Sequence, residues 1–126
     1  MAMKIAAALA LCVAGAAPAA LAQGTGAGVV PAELHGRWAP NAAACRDNGP
    51  TTQIVTINGA GWTSFEEGGR LSQHRLRRGI HYFRSIDFSG ADEIPGFLAL
   101  RRTGDRLVMS ATVMSRTVHK IMVRCR

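Results

Sequence analysis

The chain has 126 residues, a formal net charge of +7 and 14 glycines, and 48% of its residues are apolar. This length supports one hydrophobic core and excludes two independently cored domains. The apolar content excludes an intrinsically disordered chain, and the glycine content is far below that of collagen. We therefore expect a single globular domain.

Residues 1–22 have the pattern of a secretory signal peptide. Lys4 gives a positive start, an apolar run covers residues 5–17, and Ala20-Leu21-Ala22 is a small-x-small cleavage sequence. The run is shorter than the roughly 20 apolar residues that span a bilayer. We therefore predict a cleaved signal, a periplasmic or secreted protein and no transmembrane segment. The alternative is that this run forms a buried helix that opens the fold.

The chain that would remain after cleavage is strongly basic. Residues 23–32 are predicted to be a flexible lead, because 23–30 is glycine-rich, and residues 33–126 are predicted to form the domain. Without Lys4 the chain keeps 14 basic and 8 acidic residues, a net charge of +6. This charge favours anionic partners, such as a small molecule or an envelope component. Nucleic acid is not expected, because no basic stretch is rich in aromatic residues and no recognition helix is indicated.

The cysteines predict one disulfide. Cys12 lies in the middle of the signal's apolar run, which is not the position of a lipoprotein cysteine, and it would be removed with the signal. Cys45 and Cys125 are then the only cysteines left, and exported proteins fold in an oxidising compartment. We predict that they are bonded to each other. The alternative is two unpaired buried thiols.

Beyond Pro31 the chain is divided into short segments by turn residues, including Asn58-Gly59, Gly68-Gly69, Arg78-Gly79, Gly104-Asp105 and Ser115-Arg116. After a first strand around Trp38, the predicted strands are 52–57, 62–66, 71–77, 80–88, 97–102, 107–113 and 118–125. No apolar pattern has a sustained helical period. These lengths and spacings predict an all-β antiparallel meander of seven or eight short strands.

The best-defined hairpin is the one that turns at Gly104-Asp105. This turn places Leu100 opposite Met109 and Leu98 opposite Ala111. Leu107 and Val113 lie on the same apolar face, and the polar face carries Ala99, Arg101, Ser110 and Thr112. A shift of one residue would destroy this separation of apolar and polar side chains.

A second hairpin, turning at Arg78-Gly79, carries the candidate ligand-binding residues. This turn places Leu71 opposite Ile86, and the face of Leu71 then also holds Arg75, Arg77, Tyr82 and Arg84. If this face lines a barrel, the buried guanidiniums need an anionic partner, which a fatty acid or another amphipathic anion would supply. The alternatives are arginines that reach water at the rim, or an interior filled by side chains.

Closure of the sheet is inferred from the positions of the cysteines. A sheet of seven or eight strands has two exposed edges unless it closes on itself. Cys45 follows the first strand and Cys125 ends the last one, so a bond between them would hold these two strands side by side. This predicts a barrel. A β-sandwich with the same bond is the alternative.

The segment Leu34-His35-Gly36-Arg37-Trp38 resembles the Gly-x-Trp opening of lipocalin-like barrels. The resemblance implies structural roles for Gly36, for Trp38, which would pack across the closed end of the barrel, and for Arg124, the matching arginine of the last strand. With its two cysteines, the pattern also resembles small exported bacterial proteins of unassigned role. It is similar as well to periplasmic metalloprotease inhibitors, in which the second cysteine falls in mid-chain.

No catalytic, metal-binding or cofactor-binding pattern is found. Bonded cysteines leave no thiolate, and no serine lies in a nucleophile-elbow motif. Glu66-Glu67 and Asp92-Glu93 are interpreted as solvated turn or loop surface, because neighbours on an extended chain point to opposite faces. The four histidines lack zinc-site spacing, although His74 and His81 would share one face.

Function is therefore predicted to be binding. We expect a non-enzymatic monomer that captures an apolar or anionic small molecule in the cell envelope. The alternative is a protein-binding module or an inhibitor-like protein, and an enzyme ranks third.

Overall fold

The computed structural model describes residues 28–47, 49 and 53–126. They form an eight-stranded antiparallel barrel in which consecutive strands are neighbours. The strands are β1 (Gly36–Ala39), β2 (Val55–Ile57), β3 (Gly61–Ser64), β4 (Glu67–Arg77), β5 (Ile80–Ser89), β6 (Asp92–Thr103), β7 (Arg106–Val113) and β8 (Arg116–Arg124). Two short 3₁₀ helices, Ala32–Leu34 and Ala44–Arg46, flank β1. The predicted signal (1–22), residues 23–27 of the predicted lead and residue 52 of a predicted strand lie outside the described residues.

The first and last strands close the barrel. In β1, Trp38 and Ala39 pair with Arg124 and Val123 of β8. The predicted all-β meander and its closure are therefore confirmed, and the β-sandwich alternative is excluded. Among the described residues, no helix is long and apolar enough to cross a membrane.

The predicted disulfide is present, and Cys45 is bonded to Cys125 across a sequence separation of 80 residues. It links the second 3₁₀ helix to the residue that follows β8. The backbone N–H of Cys125 also donates to the carbonyl of Arg37, with an N–O distance of 2.8 Å. The two chain ends of the barrel are thus joined covalently and through backbone hydrogen bonds.

The register of the β6–β7 hairpin is confirmed. Leu100 pairs with Met109 and Leu98 pairs with Ala111. Leu98, Leu100 and Met109 are buried, as the alternation required. The barrel interior is occupied by a cluster of buried side chains: Val30, Leu34, Trp38, Val55, Ile57, Leu71, Phe83, Leu98, Leu100, Leu107, Met109 and Met122.

The predicted register of the β4–β5 hairpin is correct next to the turn, where Arg75 pairs with Tyr82, and is wrong by one residue from Ser72 toward the start of β4. Leu71 pairs with Ser85 rather than with Ile86, because the pairing shifts between Ser72 and Arg75. Gln73 lies within this bulge with a φ of 54°, a left-handed value that side-chain-bearing residues adopt at a cost. The extra residue inverts the alternation of side chains along the rest of β4.

This inversion moves the arginines of β4 to the outside. Arg75 and Arg77, which the unbulged register places on the face of Leu71, are exposed, while His74 is turned toward the interior beside His81. Tyr82 and Arg84 of β5 are exposed as well. The predicted interior arginine face is therefore corrected to an exterior one. The physical reason is that an unpaired guanidinium in an apolar core is very costly.

Two predicted turns are also wrong. Gly68-Gly69 lies inside β4, and Asp92-Glu93 begins β6 instead of forming a loop. The two glycines serve packing: a Cβ on Gly68 would lie 2.4 Å from the Phe88 ring, and one on Gly69 would lie 2.3 Å from Trp62 Nε1. Glycine here makes room for aromatic rings, although the same pair of letters is typical of a turn.

One end of the barrel is closed by Trp38, which is fully buried and donates its Nε1–H to the carbonyl of Leu34 at 3.1 Å. The Arg124 guanidinium carbon lies 5.1 Å from the centre of the Trp38 ring system, and Nη2 donates to the carbonyl of His35. Gly36 has a φ of 135°, and a Cβ there would lie 3.3 Å from Arg124 Nη2. The packing that the Gly-x-Trp resemblance implied for these residues is present.

Candidate functional site

A groove of about 440 Å³ lies on the outer face of the barrel. We call it the basic groove. Its lining comes from four neighbouring strands, β4 to β7: Gln73, Arg75, Tyr82, Phe83, Arg84, Phe97, Leu98, Ala99, Ser110 and Thr112. It holds three of the four predicted ligand-binding residues, Arg75, Tyr82 and Arg84. The fourth, Arg77, lies farther along the outer face of β4 and pairs with Ile80.

Strand pairing explains how the basic groove forms. Tyr82 faces Arg75 on one side and Ala99 on the other, and Ala99 faces Ser110. Small side chains at Ala99 and Ser110 leave a depression between larger neighbours. The aromatic walls remain accessible, since Tyr82 is 43% and Phe97 is 56% exposed. The groove therefore offers apolar surface to a ligand without any rearrangement of the core.

The charge of the basic groove is positive throughout. Arg75 and Arg84 line it, and none of its lining residues is acidic. The Arg84 guanidinium carbon lies 5.8 Å from the centre of the Phe97 ring, a cation–π distance. This contact holds the charge beside apolar surface. An anion with an apolar part would meet both features at once.

Adjoining depressions extend the basic groove in both directions. One, of about 410 Å³, shares Arg84 and Phe97 with it and reaches Pro95 and Met114. Another, of about 360 Å³, shares Tyr82 and continues past Arg101, Val108 and Ile80. Along β6, Pro95 to Arg101 spans roughly 20 Å at about 3.3 Å per residue. The surface therefore suits an elongated ligand better than a compact one.

Sequence reasoning missed Phe97 as a candidate site residue. The sequence does contain an indication of its position. Phe97 is separated from Ala99 and Arg101 by even numbers of residues along the strand, so it lies on the same face, which the β6–β7 alternation predicts to be the polar one. Sequence reasoning also missed Gln73, whose contribution depends on the bulge. A bulge of this kind has no short motif that would have indicated it.

The β7–β8 border of the basic groove carries hydrogen-bonded polar pairs. Ser110 Oγ lies 2.7 Å from His119 Nδ1, and the hydroxyls of Thr112 and Thr117 are 2.9 Å apart. Both are pairs of directly opposed residues of β7 and β8. Such cross-strand pairs stabilise a sheet surface.

A second cluster joins the buried His81 to the partly buried His74 and the exposed Glu33. His81 is 5% exposed; its Nε2 lies 3.0 Å from Glu33 Oε1, and its Nδ1 lies 2.9 Å from His74 Nε2. Burial lowers the pKa of His74, the charge of His81 lowers it further, and Glu33 opposes both effects. The expected proximity of His74 and His81 is thus observed. In the described part of the chain, neither this cluster nor any other brings three metal-ligating side chains into an arrangement that could hold a metal ion.

The histidine cluster predicts a loss of stability in mild acid. The unfolded chain takes up a proton at His74 near the ordinary pKa of 6.5, whereas the folded chain resists it to a lower pH. This contribution to the free energy of unfolding is therefore complete above about pH 7 and is lost as the pH falls below 6.5 toward the lowered pKa. Urea unfolding at several pH values should show a shallower pH dependence in His74→Gln than in the unchanged protein. His119→Gln, on the outer face, is the control, and an equal slope in H74Q and the unchanged protein would contradict the assignment.

The fold and the groove together define a closed eight-stranded antiparallel barrel that presents a basic, aromatic surface on its outer wall. Comparisons of the chain with protein-family models, with curated proteins and with solved structures find no match. The function is therefore argued from the geometry alone.

Proposed function

We propose that this protein is an exported, non-enzymatic binding protein that holds an elongated amphipathic anion in the basic groove. One observation carries the proposal. Arg75 and Arg84 line the same groove as the accessible rings of Tyr82 and Phe97, and no carboxylate lies among the lining residues. The two guanidiniums are therefore not neutralised by any carboxylate of the groove, and apolar rings lie beside them.

The chemistry of the side chains defines the ligand class. A guanidinium presents a planar fork of N–H donors that fits a carboxylate, phosphate or sulfonate group with two parallel hydrogen bonds. The rings of Tyr82 and Phe97 would bury the apolar part of the ligand. The net charge of +7 draws anions toward the protein over longer distances.

Export is part of the same proposal. The signal pattern of residues 1–22 supports a periplasmic or secreted location, and a disulfide between Cys45 and Cys125 is typical of such compartments. A lipocalin-like relationship is supported by the Gly-x-Trp segment and its arginine partner. The sequence analysis considered a ligand inside the barrel. The site proposed here lies on the outer wall instead, because buried side chains occupy the interior.

A protein-binding module is the second candidate, and the edge of β8 favours it. Among the described residues, β8 pairs with β1 only through Val123 and Arg124. Val118 is 46% and Ile121 is 62% exposed near this edge. An extended segment of a partner protein would add to such an edge through backbone hydrogen bonds.

Anilinonaphthalene sulfonate tests the proposal, because it is a fluorescent amphipathic anion. We expect saturable binding to the unchanged protein and at least tenfold weaker binding to Arg84→Gln, since a charge-assisted hydrogen bond contributes about 1.5–3 kcal/mol and about 1.4 kcal/mol is tenfold. Arg46→Gln removes the same charge from an exposed position at the end of the second 3₁₀ helix and should bind the probe as the unchanged protein does.

Three outcomes would contradict the proposal. One is equal affinity of R84Q and the unchanged protein for the probe. Another is equally tight binding of phenylnaphthylamine, which has the same apolar rings without the sulfonate. A loss of affinity in R46Q equal to that in R84Q would show that only the overall charge matters and would also reject the basic groove as the site.

A further inference from the structure

A second cavity, of about 200 Å³, lies at the end of the barrel that carries the β3–β4 and β5–β6 turns. We call it the acidic mouth. It is lined by Trp62, Glu67, Gly68, Asp87, Phe88, Ser89 and Ile94. Its lining contains two carboxylates and no basic residue, the reverse of the basic groove.

Strand pairing places the key side chains of the acidic mouth together. Trp62 pairs with Gly69, Gly69 with Asp87, and Asp87 with Ile94. This is one row across four strands, and directly opposed residues of a sheet point to the same face. Along β5, Asp87 alternates with the buried residues Phe83 and Ser85 at steps of two, so it points to the same face as they do. The row therefore faces the interior.

The arginines nearest in sequence do not neutralise these carboxylates. Arg70 lies on the outer face, where its Nη2 is 3.0 Å from Glu93 Oε1. Within the described part of the chain, the ion pairs do not include Glu67 or Asp87. The acidic mouth is thus a patch of negative charge in a chain whose net charge is +7.

Asp87 is held in an unfavourable environment for its charge. Burial raises its pKa, the neighbouring charge of Glu67 raises it further, and the Ser85 hydroxyl opposes the rise. Asp87 Oδ1 and Ser85 Oγ are both buried, and neither has a hydrogen-bond partner with good geometry. Ser85 is itself only 3% exposed. Buried polar atoms without partners are uncommon in folded proteins and call for a ligand or water that completes them.

The aromatic walls indicate what kind of cation would fit. Trp62 lines the inner side of the acidic mouth, where Gly69 allows the close approach of its ring, whereas the Phe88 ring packs over Gly68 on the opposite face of the sheet. An ammonium group is attracted both to a carboxylate and to the face of an indole ring. A metal ion would need several converging ligands, and no group of three metal-ligating residues is found among the described residues.

We propose that the acidic mouth binds a small organic ammonium ion that carries an apolar or aromatic group, with Asp87 as the partner of the charge and Trp62 as the aromatic wall. The site shares no residue with the basic groove. Its test is therefore independent of the proposed function.

Benzylamine at neutral pH is the probe, followed through the indole N–H signals in ¹H–¹⁵N spectra. We expect it to shift the signal of Trp62 in a saturable way. The indole of Trp38, which is buried and bonded to the carbonyl of Leu34, is the internal reference and should not move. Asp87→Asn preserves the shape of the side chain and should weaken binding at least about tenfold. Asp105→Asn, at an exposed carboxylate in the β6–β7 turn, should leave it unchanged.

The comparison of benzylamine with benzyl alcohol needs no variant and remains informative if D87N fails to fold. Equal shifts of Trp62 by the amine and the alcohol would overturn the proposal. So would an unchanged affinity in D87N, an equal loss in D105N, or the absence of any shift at millimolar benzylamine. Glu67→Gln offers a second variant, and we expect a smaller loss of affinity because its carboxylate is more exposed.

Discussion

Replacing Cys45 and Cys125 together by serine is expected to lower the free energy of unfolding by about 4–5 kcal/mol. The bond spans 80 residues, so in the chain-entropy account its loss releases a large loop in the unfolded state. In this barrel the bond also lies beside the short β1–β8 pairing that closes the sheet. Urea unfolding measured by circular dichroism gives the change directly.

Reduction of the unchanged protein provides the matched control for this prediction. Dithiothreitol should destabilise the unchanged protein by a similar amount and should leave the double serine variant unaffected. A loss of less than about 1 kcal/mol would show that closure of the barrel depends on the strands alone.

The second large effect is expected at Trp38, whose replacement by alanine should cost about 3–5 kcal/mol. The side chain is fully buried, so its removal leaves a cavity at the closed end. It also removes the ring beneath the Arg124 guanidinium and the N–H that the carbonyl of Leu34 accepts. The free energy of unfolding, again from urea titration, is the measurement.

A conservative variant keeps this prediction testable if W38A does not fold. Trp38→Phe retains an aromatic ring and loses the indole N–H, so we expect a smaller cost of about 1–3 kcal/mol. Val118→Ala, at an exposed apolar position on β8, should change stability by less than about 0.5 kcal/mol. Equal stability of W38F and the unchanged protein, or a loss in V118A as large as that in W38A, would contradict the role assigned to Trp38.

The β6–β7 hairpin shows where sequence reasoning succeeds. Its turn is a glycine with a φ of 59°, and its strands pair without a bulge, with Leu98, Leu100, Leu107 and Met109 on the buried face. Under those conditions turn position and alternation determine the pairing, and both predicted pairs are found.

The β4–β5 hairpin shows where the same reasoning fails. Its turn at Arg78-Gly79 was placed correctly, with φ values of 52° and 75°. The bulge at Gln73 then reversed the alternation along the rest of β4. With or without the bulge, β4 buries a different set of side chains. The register without it would bury Arg75 and Arg77, and the free-energy cost of that burial depends on the packed core and not on the local sequence.

The prediction of a turn at Gly68-Gly69 is wrong for a related reason. Gly68 and Gly69 were interpreted through their local conformational freedom, whereas they are required by rings that arrive from β3 and β5. Side-chain approach across strands leaves no trace in the local sequence, so the acidic mouth could not be predicted either.

The all-β meander and its closure by Cys45 and Cys125 follow from the amino-acid sequence alone, because turn residues, alternation and paired cysteines act locally or through a covalent bond. The position of the arginines and Tyr82 in an outer groove, and of Glu67 and Asp87 on the opposite face in the acidic mouth, becomes apparent only in the packed barrel. Which side of a strand meets water depends on the register and on the bulge, and both are set by the total cost of burial across the whole barrel.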